Sequence, residues 1–403
     1  MPTLLQINVV VNTGSTGRIA EELGQIAMAN GWQSYIAYGR NERPSQSKLI
    51  KIGTDLDLKW HGLQTRLFDR HGLASYQATL KLIEKIKELN PDIIHLHNLH
   101  GYYLNIYVLY KYLSKTSIPI VWTLHDCWSF TGHCTYFDFI GCEKWKTECY
   151  NCPQKNEYPK SLFIDRSKKN FQLKKLLFNS VKRMTIIPVS QWLGNIVHQS
   201  FLKTYPIQVI NNGIDTEIFK PTLDARIRKK YKLAGKFIIL GVTSTWDNRK
   251  GLADFKELSK RIDSNSIIIL VGLSLIQIKN LPTNMIGILR TENTQELAEF
   301  YSTANVFLNP TWEDNFPTTN LESLACGTPV VTYKTGGSIE SISPETGFIV
   351  EKGDIEGLIN VINTIRENGK EQYTQHCREH ALKMYDKNDR YQDYLNLYNS
   401  ILN

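Results

Sequence analysis

Asn309-Pro-Thr-Trp-Glu-Asp-Asn-Phe-Pro-Thr-Thr-Asn-Leu-Glu-Ser-Leu-Ala-Cys-Gly-Thr-Pro-Val-Val-Thr332 is the stretch on which the fold is decided. It follows the apolar run Val306-Phe307-Leu308, which reads as a buried strand. The pattern then predicts a helix from about Pro317 to Ala325, a stop at Gly327, and a second strand at Pro329–Val331. Strand, acidic turn, helix start and strand together predict a parallel sheet with a site at its strand ends. Asp314 and Glu322 bracket the turn with seven residues between them. The unpaired N–H groups of the helix start suit a phosphate. Glu322, two turns in, suits the hydroxyl pair of a ribose. The competing reading of the two carboxylates is an acidic capping turn.

Outward from this stretch, the C-terminal half reads as a repeated strand–turn–helix plan. Strand Phe237–Val242 enters a turn at Thr243–Lys250, and a helix starts at Gly251. Strand Ser266–Val271, the segment Met285–Arg290 and helix Thr294–Ser302 precede the opening motif, and Thr335-Gly-Gly-Ser338 follows it as a backbone-rich turn. Helices near Ile355–Glu367 and Glu371–Met384 come next, and a final helical segment, Asp389–Leu402, is expected to cross back to the first half. Arg249 and Lys250 put two cations at a helix start beside a strand end, where they would neutralise a departing diphosphate.

The N-terminal half begins with strand Leu4–Val11 and the glycine turn Asn12-Thr-Gly-Ser-Thr-Gly-Arg18, before a helix at about Ile19–Asn30. Gly14, Ser15 and Gly17 would allow a ligand close to the backbone, or serve only as a tight connection. Strand Ser34–Tyr38, a polar and basic region near Arg40–Lys51, helical segments through His61–Arg70 and Gln77–Leu89, and strands Ile118–Leu124, Thr185–Val189 and Ile207–Ile210 complete the half. Alternation places His95 and His97 on one strand face, as metal ligands or as the polar lining of a cleft. A long aromatic loop after His125 carries Cys134, Cys142, Cys149 and Cys152, spaced C-x7-C-x6-C-x2-C. Its irregular length needs a staple. A structural zinc on the four thiolates would supply one; otherwise the cysteines pack as small hydrophobes. In the basic segment Arg166–Arg183, Lys168, Lys169, Lys174, Lys175, Lys182 and Arg183 would face an anionic membrane, or form an ordinary surface helix.

The totals bound the class. A chain of 403 residues with 42% hydrophobic and 21% charged residues has room for two or three domains with ordinary cores. No apolar run reaches the roughly 18 residues of a membrane span. The N-terminus reads as a strand and not as a leader, and seven cysteines, an odd number, favour a reducing compartment, so the expected location is cytoplasmic. A net charge of +8 suits an anionic ligand or membrane face and does not call for nucleic acid.

The 309–332 stretch resembles the E-x7-E motif of family 4 retaining glycosyltransferases, including the Ala-Cys-Gly-Thr-Pro-Val-Val ending. Asp314 stands for the usual Glu, Pro317 where glycine is common, and Thr245 where an arginine is usual. Arg249-Lys250-Gly251 resembles the family's Arg…Lys-Gly element, and Trp122-Thr-Leu-His-Asp-Cys-Trp-Ser-Phe-Thr-Gly-His-Cys134 is similar to transferases of capsular and colanic-acid assembly. The resemblance implies a GT-B fold: two doubly wound Rossmann-like domains, 1–212 and 213–385, facing across a cleft, with a returning helix at 386–403. It also implies retaining transfer of a hexose such as galactose from a nucleotide-diphosphate sugar, UDP-linked before GDP-linked, to a glycan or lipid-linked acceptor, without a catalytic metal and at the inner membrane face. His125, Arg249, Lys250 and Asp314 would be catalytic. Gly14, Ser15, Gly17, Leu289, Arg290, Asn315, Phe316, Thr318, Thr319 and Glu322 would bind the donor. The competing class is a sugar-nucleotide epimerase or binding protein on the same scaffold.

Overall fold

The computed structural model describes residues 1–222 and 226–403. They form two compact units: Met1–Asn211 with Arg390–Asn403, and Asn212–Asp389. The first holds β1 (Thr3–Asn8), β2 (Gln33–Tyr38), β3 (Lys48–Lys51), β4 (Ile93–Leu96), β5 (Ile120–Leu124) and β6 (Met184–Pro188) in the order β3-β2-β1-β4-β5-β6. The second holds β7 (Phe237–Val242), β8 (Ser266–Val271), β9 (Met285–Ile288), β10 (Val306–Asn309), β11 (Val330–Tyr333) and β12 (Gly347–Val350) in the order β12-β11-β10-β7-β8-β9. All paired strands are parallel.

Parallel sheets covered by helices on both faces need unbroken apolar strands. Phe237-Ile-Ile-Leu240 and Val306-Phe-Leu308 supply them, all buried. In each sheet the strand order reverses once, between β1 and β4 and between β7 and β10. Ligands of doubly wound sheets bind outside the carboxyl ends of the strands at that reversal. In the second unit the segments leaving those two strands are 243–250 and 310–317.

Residues 390–403 belong to the first unit's core. Tyr391, Tyr394, Leu395 and Tyr398 pack with Leu4, Ile93 and Val121. Tyr398 Oη lies 2.6 Å from His95 Nδ1, Tyr394 Oη 2.9 Å from Thr123 Oγ1, and Tyr391 donates to Glu22 at 2.9 Å.

Several elements differ from the sequence reading. Residues 48–51, expected as a polar region, form edge strand β3, and edge strand β12 was not anticipated. Residues 207–210 make a single bridge to Ile186 where a strand was expected, although Gln208 and Ile210 donate to the carbonyls of Ile186 and Pro188. The largest correction concerns helix Ser167–Phe178. Lys174 is not on a lipid-facing surface: it is 2% exposed, with Nζ donating to the Trp128 and Thr131 carbonyls at 2.6 and 3.1 Å and lying 3.4 Å from the Trp128 ring centre. Burial brings its ammonium down to about 7. Lys168 instead reaches Glu148 at 3.0 Å, and Lys175 is exposed.

Candidate functional site

In the second unit, the turn after β7 and the turn after β10 are drawn together by backbone contacts. Trp312 N–H donates to the Arg249 carbonyl at 2.8 Å, and the Arg249 guanidinium donates to the Glu313 carbonyl at 3.0 Å. The approach is tight because Gly251 adopts φ +74 and lies against Pro310; a Cβ there would stand 2.2 Å from the Pro310 carbonyl oxygen. On the other side Gly336, at φ +49, would bring a Cβ to 1.9 Å from the Asp314 carbonyl oxygen, and Gly337 N–H donates to that oxygen at 3.1 Å. Only glycine accepts both the left-handed backbone and the contact. The acidic turn is thereby clamped between two glycine turns.

Side chains then converge on it. Lys250 Nζ forms an ion pair with Asp314 Oδ2, both side chains about one-sixth exposed at 17% and 16%. Lys250, expected at a departing diphosphate, and Asp314, the first acid of the motif, therefore touch. Helix Thr318–Ala325 starts at Pro317 with no side-chain cap; Asn320 N–H turns back to the Pro317 carbonyl at 3.2 Å, and the N–H groups of Thr318 and Thr319 are the ones placed to meet a ligand or water. Glu322 is 2% exposed and accepts a hydrogen bond from Tyr301 at 3.0 Å. Asn315 and Phe316 are buried in the turn wall, and Thr318 and Thr319 are half-buried at the helix start. Leu289 and Arg290 are exposed at the end of β9, next to β8 and one strand further from the reversal.

Sequence reasoning missed the scaffold beneath these groups. Asn320 is fully buried: it accepts from Asn309 at 2.8 Å and donates to Ser338 and Ser341 Oγ, each at 3.1 Å. Thr332 Oγ1 meets Ser338 Oγ at 2.7 Å. Asp254 accepts from Trp312 Nε1 and from the Tyr333 hydroxyl, both at 2.9 Å. No local pattern marked Asn320, because this short helix also buries the polar Glu322 and Ser323 beside Leu321 and Leu324.

The first-unit residues sit at the ends of β1, β4 and β5. Gly14, Ser15 and Gly17 lie in the first turns of helix Gly14–Ala29, not in a loop before it. His125 Nε2 is 3.2 Å from His97 Nδ1, and His97 Nε2 meets Gln6 Oε1 at 3.0 Å. Burial lowers His125 to about 4 and holds His95 and His97 well below the ordinary histidine value, so all three are neutral at pH 7. His95 and His97 stack with ring centres 4.1 Å apart. They bond to Thr123, Tyr398 and Gln6, as a buried polar network and not as a pair of metal ligands.

The aromatic loop is packed, with Phe137 stacked on Trp145 at 5.0 Å. Cys134, Cys142, Cys149 and Cys152 line one small cavity with His133, and all are free thiols. The neighbouring Cys134 draws the Cys152 thiol below the ordinary thiol range, while its own is pushed up. His133 Nδ1 meets Asp69 Oδ1 at 2.7 Å, and its Nε2 is buried without a partner. As placed, no three His, Cys, Asp or Glu side chains among the described residues are arranged to hold a metal ion.

Residues 16–218 match the family model for Glycosyltransferase Family 4, and residues 224–384 that for Glycosyl transferases group 1. The chain belongs to glycosyltransferase family 4. It is 25% identical over 377 residues to the colanic acid biosynthesis glycosyl transferase WcaC of Escherichia coli, covering 89% of each chain. To the capsular polysaccharide biosynthesis glycosyltransferase CapM of Staphylococcus aureus it is 29% identical over 222 residues, 46% of this chain and 55% of that one. Among solved structures, sucrose-phosphate synthase from Thermosynechococcus elongatus superposes with a TM-score of 0.73 at 18% identity, covering 100% and 99% of the two chains. Anabaena HepE in complex with UDP-glucose superposes with a TM-score of 0.69 at 16% identity, covering 99% of each. The fold is GT-B, and this family 4 member is a glycosyltransferase.

Proposed function

We propose that this transferase moves a hexose such as galactose from a nucleotide-diphosphate sugar, UDP-linked in preference to GDP-linked, to a glycan acceptor in capsule or exopolysaccharide assembly, with retention at the anomeric carbon. The observation that carries the reading is the pairing of Lys250 and Asp314 beside Arg249 and the uncapped start of helix Thr318–Ala325. Arg249, Lys250 and the helix N–H groups would receive the diphosphate in place of a catalytic metal. Glu322, already accepting from Tyr301, has the buried carboxylate a ribose diol requires. Asp314 would hold hydroxyls of the donor sugar; in the first unit, the neutral His125 would bind a sugar hydroxyl, and Gly14, Ser15 and Gly17 would leave room for a close ligand. In the proposed step the anomeric C–O bond to the diphosphate breaks and a bond to the acceptor oxygen forms on the same face. The acceptor proton passes to the leaving phosphate oxygen. The UDP-glucose held by HepE favours the UDP series for this chain too.

A thermal-shift screen against UDP-, GDP- and ADP-sugars tests the donor class: ligands of one nucleotide series should raise the midpoint. Proton NMR of the product then tests retention. An inverted anomer would overturn the mechanism, and interconversion of the donor without transfer would point to an epimerase.

The cysteine loop receives a separate proposal: one structural zinc held by Cys134, Cys142, Cys149 and Cys152. The support is their common cavity and the buried, unpartnered His133 Nε2 beside it. Binding would have to draw the sulfurs inward to the roughly 2.3 Å of a zinc–thiolate bond. Elemental analysis should find zinc equimolar with protein; metal-free protein with four titratable thiols would exclude it.

A further inference from the structure

Helix Asp55–Phe68 fully buries only His61 and Thr65. The face opposite them carries Leu56, Trp60 and Leu63, spaced four and three residues apart so that they share one stripe. Leu56 is 76% exposed and Trp60 57%. Large apolar side chains in a row on a solvent-facing helix are uncommon unless something covers them. The stripe is extended by a second segment. Leu162 N–H donates to the Arg66 carbonyl at 2.8 Å, which fastens Leu162-Phe163-Ile164 to the end of the helix, and Phe163 is 71% exposed. The segment is braced from behind: Ser161 Oγ donates to the Ile164 carbonyl at 2.6 Å, and Arg166 N–H to Asp69 at 2.7 Å. It is thus held in a defined position while presenting its side chains outward.

The rim is basic. Lys59 and Arg66 flank the stripe on the same helix, and Arg70 and Lys160 are exposed beside its two segments. Of the nearby acids, Asp55 pairs with Lys51 at 3.6 Å, Asp57 accepts from the Thr54 N–H, and Asp165 accepts from the Ser167 N–H. Aliphatic and aromatic side chains ringed by Lys and Arg are what an anionic lipid–water interface accepts, the apolar groups entering the acyl boundary while the cations meet phosphates. No helix among the described residues is long and apolar enough to cross a membrane, so attachment by this face would be peripheral.

We infer that helix Asp55–Phe68 and the segment 162–164 form one peripheral docking surface for an anionic lipid bilayer. This replaces the basic helix Ser167–Phe178 as the lipid-facing element, since Lys174 is buried and Lys168 is paired. The inference does not depend on the donor reading.

The test is co-sedimentation of the full chain with phosphatidylcholine vesicles, with and without phosphatidylglycerol. Wild-type protein should partition to the anionic vesicles, and added salt should release it. Trp60→Ser with Phe163→Ser should weaken partitioning about tenfold or more, since each removes an apolar group from the lipid. Lys59→Glu with Arg66→Glu should abolish the salt-dependent part. A control carrying Lys168→Glu and Lys175→Glu should bind as wild type. All four substituted side chains of the docking variants are exposed, and unchanged circular dichroism and thermal midpoints would confirm folding. Wild-type protein that ignores anionic vesicles, or docking variants that bind equally well, would overturn the inference. So would loss of a concentration-dependent dimer in the docking variants without any vesicle binding, which would assign the face to a second copy of the chain.

Discussion

Lys250 and Asp314 are the residues on which the donor-site reading is most exposed to test. Their ion pair satisfies each in the absence of ligand; a diphosphate would compete for the ammonium and release the carboxylate toward a sugar hydroxyl. Lys250→Ala should lower kcat/KM by about a hundredfold or more, as removal of an electrostatic group at a leaving anion does, and Glu322→Ala should lower it by removing the acceptor for the ribose hydroxyls, both with circular dichroism unchanged. Wild-type turnover in either folded variant would remove that residue from the site. The motif residues were readable because their types and spacing follow the chemistry. Tyr301 was not: its hydroxyl reaches Glu322 from a neighbouring helix, and no local pattern encodes that contact. Lys174 is an intermediate case. It occupies the same helical face as the buried Phe171, Leu177 and Phe178, at spacings of three and four, so periodicity held the signal and the charge obscured it. Lys174→Glu should cost about 3 kcal/mol or more, because a carboxylate would replace the ammonium against two carbonyl oxygens. Lys168→Glu, at the surface, should change stability by about 0.5 kcal/mol or less. Urea denaturation of both distinguishes the buried position from the exposed one.

Elements were legible in proportion to their burial. Phe237–Val242 and Ser266–Val271 match β7 and β8 residue for residue, since strands paired on both sides must be apolar throughout. β3 and β12 lie at sheet edges and are four residues long; β3 buries none of its side chains fully and β12 mixes exposed with buried positions, so neither carries a distinctive period. The turn containing Gly251 shows how an element's end positions chemistry. Gly251→Ala would add a strained left-handed residue and a clash with the Pro310 carbonyl. It should lower stability by about 1–3 kcal/mol and, by parting the Arg249-Lys250 turn from residues 310–314, raise KM for the donor. A variant with lowered stability and unchanged donor affinity would show that the clamp supports the fold alone.

At the scale of the whole molecule, the first unit is the acid-sensitive one. His61 is lowered to about 3 by burial and His125 to about 4, while His71, His95 and His97 are held well below 6.5. Each binds a proton at ordinary pH values in the unfolded chain and far less readily when folded. Falling pH therefore favours unfolding as it passes 6.5, and the loss continues down to the folded values. None of these five lies in the second unit, where the one histidine that burial holds below its ordinary value is the partly exposed His380. Between pH 7 and about 5 the first unit's melting transition should fall while the second's moves little, a separation that domain-resolved hydrogen exchange would read. Transitions falling in parallel would show that burial of these imidazoles does not set acid stability.

The return of residues 390–403 to the first unit also orders events during synthesis. The tyrosines that close its core, with Tyr398 against His95, are translated only after all of the second unit. The first half emerges from the ribosome first yet waits with an open hydrophobic face while some 180 further residues are made. The second unit, contiguous in the chain, has no such wait. A nonsense change between Tyr391 and Tyr398 would thus leave a finished second unit tethered to an unfinished first, the kind of half-built chain that chaperones retain and proteases clear.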